Sequence, residues 1–302
     1  IRDILLSDDG NILCRTDEDI YEYDLGTYSF KDITPERKDS LRGRMGRPWR
    51  GFYDRQGNFW SGNHQGLNKR YTLRHPASIL AGTADRHPRA LMLDRDSVLW
   101  VGTRTDRCVR RYDCTGILVD SMHLATAPYC IFQTSAGDVW IGGKPGSLMK
   151  YGGESVTDDA VYDIKEDRRG RLWVATYGDG VKCIDNPRAG RPSVSTSLGG
   201  HRVRRLLITP SDRLIAATTD GLLIGSIATD DSREVKLRRI SRDGSVAGSL
   251  CSNATMSLAQ DSRGRVYVAT ESSGIDVIDE DVLFSDSPEF THVNTSGSSL
   301  TS

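Results

Sequence analysis

The stretch EDRRGRLWVATYGDGVKCID, residues 166–185, sets Asp167, Asp179, Gly170, Gly178 and Gly180 around two turns. Such a composition could hold a cation through the carboxylates or an anion through backbone amides. A calcium loop spaces its oxygen ligands at alternate positions, and GDG at 178–180 lacks that spacing. The six cysteines (Cys14, Cys108, Cys114, Cys130, Cys183 and Cys251) form no CxxC and no Cys/His zinc spacing. Cys14 and Cys183 fall in apolar strand patterns, where a thiol behaves as a small hydrophobe. Cys108 and Cys114 would stand roughly 20 Å apart on an extended strand, beyond disulfide reach. No Ser-His-Asp order, P-loop or zinc motif occurs. The expectation is no catalytic residue, no metal and no cofactor.

Recognition chemistry is better represented. Of 40 basic residues, 32 are arginine, whose planar fork suits carboxylate, sulfate or phosphate. Sugar recognition needs planar polar groups for hydroxyls and an aromatic face for ring C–H groups, and anionic sugars add a use for arginine forks. Candidates of these types lie in polar stretches between apolar ones: Trp49 and Arg50; Arg86, His87 and Arg89; Arg104 and Arg107; Tyr129; Tyr177 and Asp179; His201 and Arg202. Loops are polar in any fold, so composition alone does not separate a binding face from a solvated one. A formal net charge of −1 gives no basic excess for nucleic acid. No apolar run approaches the roughly 18–20 residues of a membrane span.

The elements that must carry these residues form a repeat. IRDILLSDDGNILCRTDEDIYEYD (1–24) is followed by WRGFYDRQGNFWSGNHQGLNKRY (49–71), RALMLDRDSVLWVGTRTDRCVRRYD (89–113) and YCIFQTSAGDVWIGGKPGSLMKY (129–151). Then come AVYDIKEDRRGRLWVATYGDGVKCID (160–185), a worn copy at 202–226, and ATMSLAQDSRGRVYVATESSGIDVID (254–279). Leu13, Trp60, Trp100, Trp140, Trp173, Ile215 and Tyr267 align, at a mean spacing of about 42 residues. Each unit reads as a strand, a Gly-bearing turn, a short apolar strand, a second Gly-bearing loop and a third strand. A weaker fourth strand follows in several units, as in FKDI (30–33) and FTHV (290–293). Four strands in about 42 residues is a propeller blade. We expect an all-β, seven-bladed β-propeller with four antiparallel strands per blade and the aligned large residues packed between blades. The blades fall at 1–45, 46–85, 86–125, 126–157, 158–199, 200–250 and 251–302.

The units DRRGRLWVATYGDGVKCID and DSRGRVYVATESSGIDVID, with DSVLWVGTRTDRCVRRYD as a looser form, resemble the two-component regulator propeller repeat. SLCSN (249–253) resembles the Leu-Ser-Ser-Asn phrase that often introduces it. The resemblance covers essentially the whole chain. The first and sixth repeats depart most, lacking the Trp, and the sixth has SDR where others carry Gly. In that family, of Bacteroidetes type, two propellers precede a β-sandwich, a membrane helix, a kinase and a DNA-binding output. The resemblance implies a periplasmic sensor of oligosaccharides from polysaccharide breakdown. Its partners would be an oligosaccharide, neutral or anionic, the second propeller and signalling domains of the parent chain, and a second copy in a homodimer. Nucleic acid is not expected as a partner of this domain. The chain opens at Ile1 within a strand pattern, and its GSSLTS end (297–302) parallels GSLCSN (248–253). Both features lead us to expect an excised piece of a longer parent.

Two other classes stay open. Streptogramin lyases resemble this chain in blade plan and hold a divalent metal through His and Glu, for which His64, His87, His201 and Glu271 would be the candidates. A protein-binding scaffold is the third class. Propeller topology brings the loops between second and third strands to the same face as those entering each first strand, so the recognition candidates are expected together there.

Overall fold

The computed structural model describes residues 3–6, 11–15, 20–25, 27, 29–32, 48–53, 59–63, 66–70, 78–80, 82–189, 192–197, 199–227 and 235–293. They form seven four-stranded antiparallel sheets in chain order. The first is β1–β4 (Asp3–Leu6, Ile12–Arg15, Ile20–Asp24, Ser29–Asp32), and the second β5–β8 (Pro48–Tyr53, Phe59–Asn63, Gly66–Arg70, Ser78–Ile79). The third is β9–β12 (Pro88–Leu93, Leu99–Thr103, Cys108–Tyr112, Leu118–His123), and the fourth β13–β16 (Ala127–Gln133, Val139–Lys144, Ser147–Lys150, Ser155–Thr157). The fifth is β17–β20 (Val161–Glu166, Leu172–Thr176, Val181–Asp185, Ser193–Ser197), and the sixth β21–β24 (Val203–Ile208, Arg213–Thr218, Gly221–Ser226, Arg238–Ile240). The seventh is β25–β28 (Thr255–Gln260, Arg265–Thr270, Ile275–Asp279, Thr291–Val293), with a single helical turn, α1 (Glu280–Leu283), before its last strand. Each sheet is a simple meander, and the all-β propeller blade expected from the repeat is what forms. The chain divides into two compact units, Ile1–Ile33 with Tyr162–Ser302, and Thr34–Val161.

Second strands are buried on both faces. Every residue of β10 and β18 is buried, whereas the outermost β12 is almost wholly exposed. The aligned large residues account for this. Leu13, Trp60, Trp100, Trp140, Trp173, Ile215 and Tyr267 are all buried. Within the first unit, Trp173 packs on Val203, Leu206 and Leu214 of the next sheet, and Tyr267 packs on Ile4, Ile12 and Cys14. Within the second unit, Trp60 meets Leu99 and Val101, and Trp100 meets Ile131 and Ile141. Burying each such ring contributes roughly 3 kcal/mol. Cys14 and Cys183 are buried apolar residues of this core, and burial pushes the Cys14 thiol up to about 12. All six cysteines are free thiols.

The first hairpin of a sheet is held by one side chain. Asp167 accepts the amides of Arg169 and Arg171 at 2.9 and 3.0 Å. Its other oxygen accepts Arg171 Nε at 2.7 Å and Trp173 Nε1 at 2.9 Å. Asp94 repeats the pattern, with the amides of Asp96 and Val98 and with Trp100 Nε1 at 2.7 Å. Asp261 repeats it with Arg263, Arg265 and the Tyr267 hydroxyl at 3.2 Å. A carboxylate at the end of the first strand thus shapes the turn and satisfies the polar atom of the large residue buried between sheets. In the fourth sheet Thr134 holds this position, its hydroxyl accepts only the turn amide of Asp138 at 3.1 Å, and Trp140 Nε1 is buried with no hydrogen-bond partner. The turn also needs one residue with positive φ. Gly170 (75°) and Gly264 (83°) supply it, while Ser97 (63°) and Asp212 (55°) adopt it in the repeats that lack Gly. The SDR of the sixth repeat therefore keeps the same turn.

A threonine at the end of the second strand closes the second turn in the fifth, sixth and seventh sheets. Thr176, Thr218 and Thr270 are buried, and their hydroxyls donate to the carbonyls of Gly180, Gly221 and Gly274 at 2.8, 2.8 and 2.9 Å. Asp167→Ala should leave Trp173 Nε1 without its acceptor and remove the carboxylate that pairs with Arg171 Nε, lowering unfolding free energy by roughly 3 kcal/mol. Conversely, Thr134→Asp offers Trp140 its missing acceptor and should raise stability by about 1 kcal/mol. Urea unfolding of both variants against the parent checks the two signs.

Candidate functional site

In the second unit, the β10–β11 loop is tied to the segment entering β9. The amides of Arg104 and Thr105 donate to the carbonyls of His87 and Arg86 at 3.0 and 3.2 Å. Asp106 is the hub of this loop. It accepts Arg86 at 2.6 Å, Arg110, and the Thr103 hydroxyl at 2.5 Å. Burial pushes its carboxyl up, but hydrogen bonds from Arg110, Thr103 and Arg86 outweigh that and hold it at about 2. Arg86 is therefore committed to the scaffold. Arg107 likewise donates to the Ala125 carbonyl at 3.0 Å. Arg104 is exposed, and His87 is half-buried at φ 50°.

Three other groups in this unit converge on one ring. The Arg89 guanidinium lies 5.4 Å from the Tyr129 ring centroid and Lys144 Nζ lies 5.8 Å from it, within cation–π range. Arg89 and Tyr129 each sit at a break in strand register, between Pro88 and Ala90 and between Pro128 and Cys130. A bulge re-aims the side chain it carries. Trp49 sits at the same break in β5. The side chains of Trp49 and Arg50 lie outside the described residues.

In the first unit, Tyr177 leaves β18 and pairs with Arg202 in an isolated antiparallel bridge. The Gly180 amide donates to the His201 carbonyl at 2.9 Å. The Tyr177 ring stacks on Tyr162 of β17, with centroids 4.8 Å apart and 18° between planes, and the Arg202 guanidinium lies 5.6 Å from its centroid. Asp179 is paired with Lys182 at 2.9 Å, so the carboxylate in GDG serves its own hairpin. Register breaks also occur at Arg204 and Met256, which touch each other. Within each unit, loops after second strands and segments entering first strands come together as expected. Of the wider lyase-like set, His64 lies outside the described residues, and Glu271 is exposed with its amide on the Ala254 carbonyl at 2.9 Å.

Sequence reasoning missed Tyr162, Arg204 and Met256. The signal was present as a fixed offset: Trp49, Arg89, Tyr129, Tyr162, Arg204 and Met256 each precede the aligned large residue of their own repeat by eleven positions. Five of the six sit at register breaks in first strands. This one position varies from blade to blade while the frame is kept, and its described side chains are two tyrosines, two arginines and a methionine.

Comparisons with known proteins bear on this geometry. Residues 155–178, which end at the Tyr177 turn, match the family described as two component regulator propeller. The extracellular domain of a hybrid two component system from B. thetaiotaomicron is similar in fold, at 19% identity and TM-score 0.73, with 91% of this chain and 37% of that one covered. This chain thus spans little more than a third of that neighbour's length. A streptogramin B lyase is similar at 14% identity and TM-score 0.67, covering 89% and 90% of the two chains. Virginiamycin B lyase from Staphylococcus aureus is similar at 11% identity and TM-score 0.67, covering 89% and 91%. At such identities these likenesses establish the propeller fold. No curated protein matches the chain. Among the described residues no helix is long and apolar enough to cross a membrane.

Because Asp106 is depressed from 3.8 to about 2, its contribution to stability is present above pH 4 and is lost as pH falls toward 2. Asp106→Asn should flatten acid unfolding in that window and cost roughly 2 kcal/mol at neutral pH, read by tryptophan fluorescence across a pH series.

Proposed function

We propose that this chain, which carries a two-component regulator propeller repeat at 155–178, is the ligand-sensing propeller of an extracytoplasmic hybrid two-component receptor. Its ligand is an oligosaccharide released by polysaccharide breakdown. The observation that carries this reading is the Tyr162–Tyr177 stack with Arg202 beside it. An aromatic face next to an arginine fork suits a sugar ring bearing hydroxyl, carboxylate or sulfate groups. The Arg89–Tyr129–Lys144 group offers the same chemistry in the second unit. The fold likeness to an extracellular domain of a hybrid two component system supports the compartment.

In this reading the domain binds and does not turn over its ligand. The ligand acts through unequal affinity for two receptor states, altering packing against the remaining domains or a second copy of the receptor. The kinase output belongs to the parent chain. A metal-dependent lyase is the second reading, supported by propeller likeness to streptogramin B lyase; shared fold carries no chemistry by itself.

Calorimetric titration with neutral, uronic and sulfated oligosaccharide panels tests the proposal. Tyr177→Ala should weaken the best binder about tenfold, in line with the loss of one stacking contact. Failure of every oligosaccharide to bind, or unchanged affinity in Tyr177→Ala, would overturn it. Metal-dependent turnover of a streptogramin would install the lyase instead.

A further inference from the structure

Away from the loops just described, three side chains that are distant in sequence meet at the outer part of the seventh sheet. Asp276 of β27 is fully buried. His292 lies directly opposite it on the outermost strand, β28. Cys251 belongs to the segment leading into β25, and its amide donates to Asp276 Oδ2 at 2.9 Å. The potential ligand atoms of the three residues all lie within 4.8 Å of one another.

The tautomer of His292 decides what this cluster can hold. Its Nε2 lies 3.0 Å from the Ala247 carbonyl. A carbonyl only accepts, so Nε2 carries the hydrogen. In a neutral imidazole the other nitrogen is then a bare acceptor. Yet Nδ1 lies 2.6 Å from Asp276 Oδ1, a separation that a shared proton spans, so in this structure the pair is bridged by a proton. A metal ion, which holds each ligand about 2 Å away, would displace that proton and move the two atoms to about 3 Å apart. His292 is the cationic partner of Asp276 among the described residues, so this fully buried carboxylate depends on whatever sits there.

The Cys251 thiol is hydrogen-bonded to Asp276, so its sulfur already faces the carboxylate. A proton bridge needs only Asp276 and His292. A thiol beside them adds the softer ligand that zinc-type ions favour over oxygen-only sites. One divalent ion with a thiolate, a carboxylate and a neutral imidazole is also charge-neutral, which a buried site requires. The Ala247 carbonyl on Nε2 is the outer partner that metal-bound histidines ordinarily have.

We propose that Cys251 Sγ, Asp276 carboxylate and His292 Nδ1 form a zinc-class divalent metal site. A water completes a tetrahedral set, and the partial exposure of Cys251 and His292 gives the ion its path. Binding releases the thiol proton to solvent. The Thr270 hydroxyl, which donates to the Gly274 carbonyl, lies 3.7 Å from Cys251 Sγ. The ion would fasten the GSLCSN segment (248–253), β27 and β28 together, giving that phrase a chemical role at the edge of a blade. The spacing of 25 and 16 residues between the ligands matches no zinc motif, which is why the linear sequence does not reveal it.

Metal-stripped protein titrated with zinc by calorimetry, and with cobalt(II) by absorption, tests the site. The expected result is one saturable ion per chain, a thiolate-to-cobalt charge-transfer band, and a zinc-dependent rise in Tm. Cys251→Ser should abolish the band, and Cys114→Ser, at an exposed cysteine elsewhere, should keep it. His292→Gln, with the thiol intact, should weaken zinc at least about tenfold. Absence of saturable binding, or a band that survives Cys251→Ser, overturns the proposal. If Cys251→Ser fails to fold, judged by circular dichroism, His292→Gln decides: unchanged zinc affinity in that variant overturns it too.

Discussion

A buried tryptophan between two β-sheets brings an indole N–H with it, and that donor must find an acceptor where water cannot reach. In this protein the acceptor is an aspartate six residues earlier, at the end of the preceding strand, as in Asp94–Trp100 and Asp167–Trp173. The same carboxylate accepts the amides of the turn between them. One side chain thereby couples the local shape of a hairpin to the packing of neighbouring sheets. A sheet whose hairpin is wrong cannot satisfy its Trp, and a misplaced Trp leaves a charged group buried. The repeat is conservative at this point because two levels of structure share one residue. Where Thr134 replaces the aspartate, the hairpin survives and the indole is left unsatisfied. The turn is thus the less demanding of the two roles.

Rigidity at this end of the blade is what allows variation at the other. First strands break register next to their entry loops, and the residue at each break is Trp49, Arg89, Tyr129, Arg204 or Met256. Its identity is unconstrained by the meander, since the ladder resumes on either side. A repeat protein can change its binding chemistry at such positions without touching the core. Buried threonines on the second turns, such as Thr176 and Thr218, fix the opposing loops. The loop groups are therefore held in place by the scaffold, so in the proposed sensor the ordering entropy of binding would fall mainly on the ligand.

Arginine abundance is a poor guide to which side chains are left to face a ligand in the proposed site. Arg86 and Arg107 have the composition expected of ligand forks, but Asp106 and the Ala125 carbonyl engage them. Asp179, in a turn that looks fit for a cation, is held by Lys182. Tyr162 lies in a strand whose alternation reads as ordinary half-buried sheet, yet it forms half of the stack with Tyr177. Side chains of the proposed recognition groups and those that do scaffolding are drawn from the same residue types. What separates them is whether a neighbour from another part of the chain reaches them first.

The amino-acid sequence alone determined the blade: strand alternation, the Asp–Gly turn and the large residue on the second strand are all contained within about 20 residues. Local physics of that range survives any arrangement of the remaining chain, so the four-stranded meander and the burial of Trp60, Trp100, Trp140 and Trp173 could be read directly. Tertiary structure decided which polar groups became partners. The Arg89–Tyr129–Lys144 cluster, the Tyr162–Tyr177–Arg202 group and the Cys251–Asp276–His292 set each join residues from separate strands or loops. Their meeting depends on sheet register, on bulges and on how adjacent blades stack, and no spacing along a single chain encodes those distances.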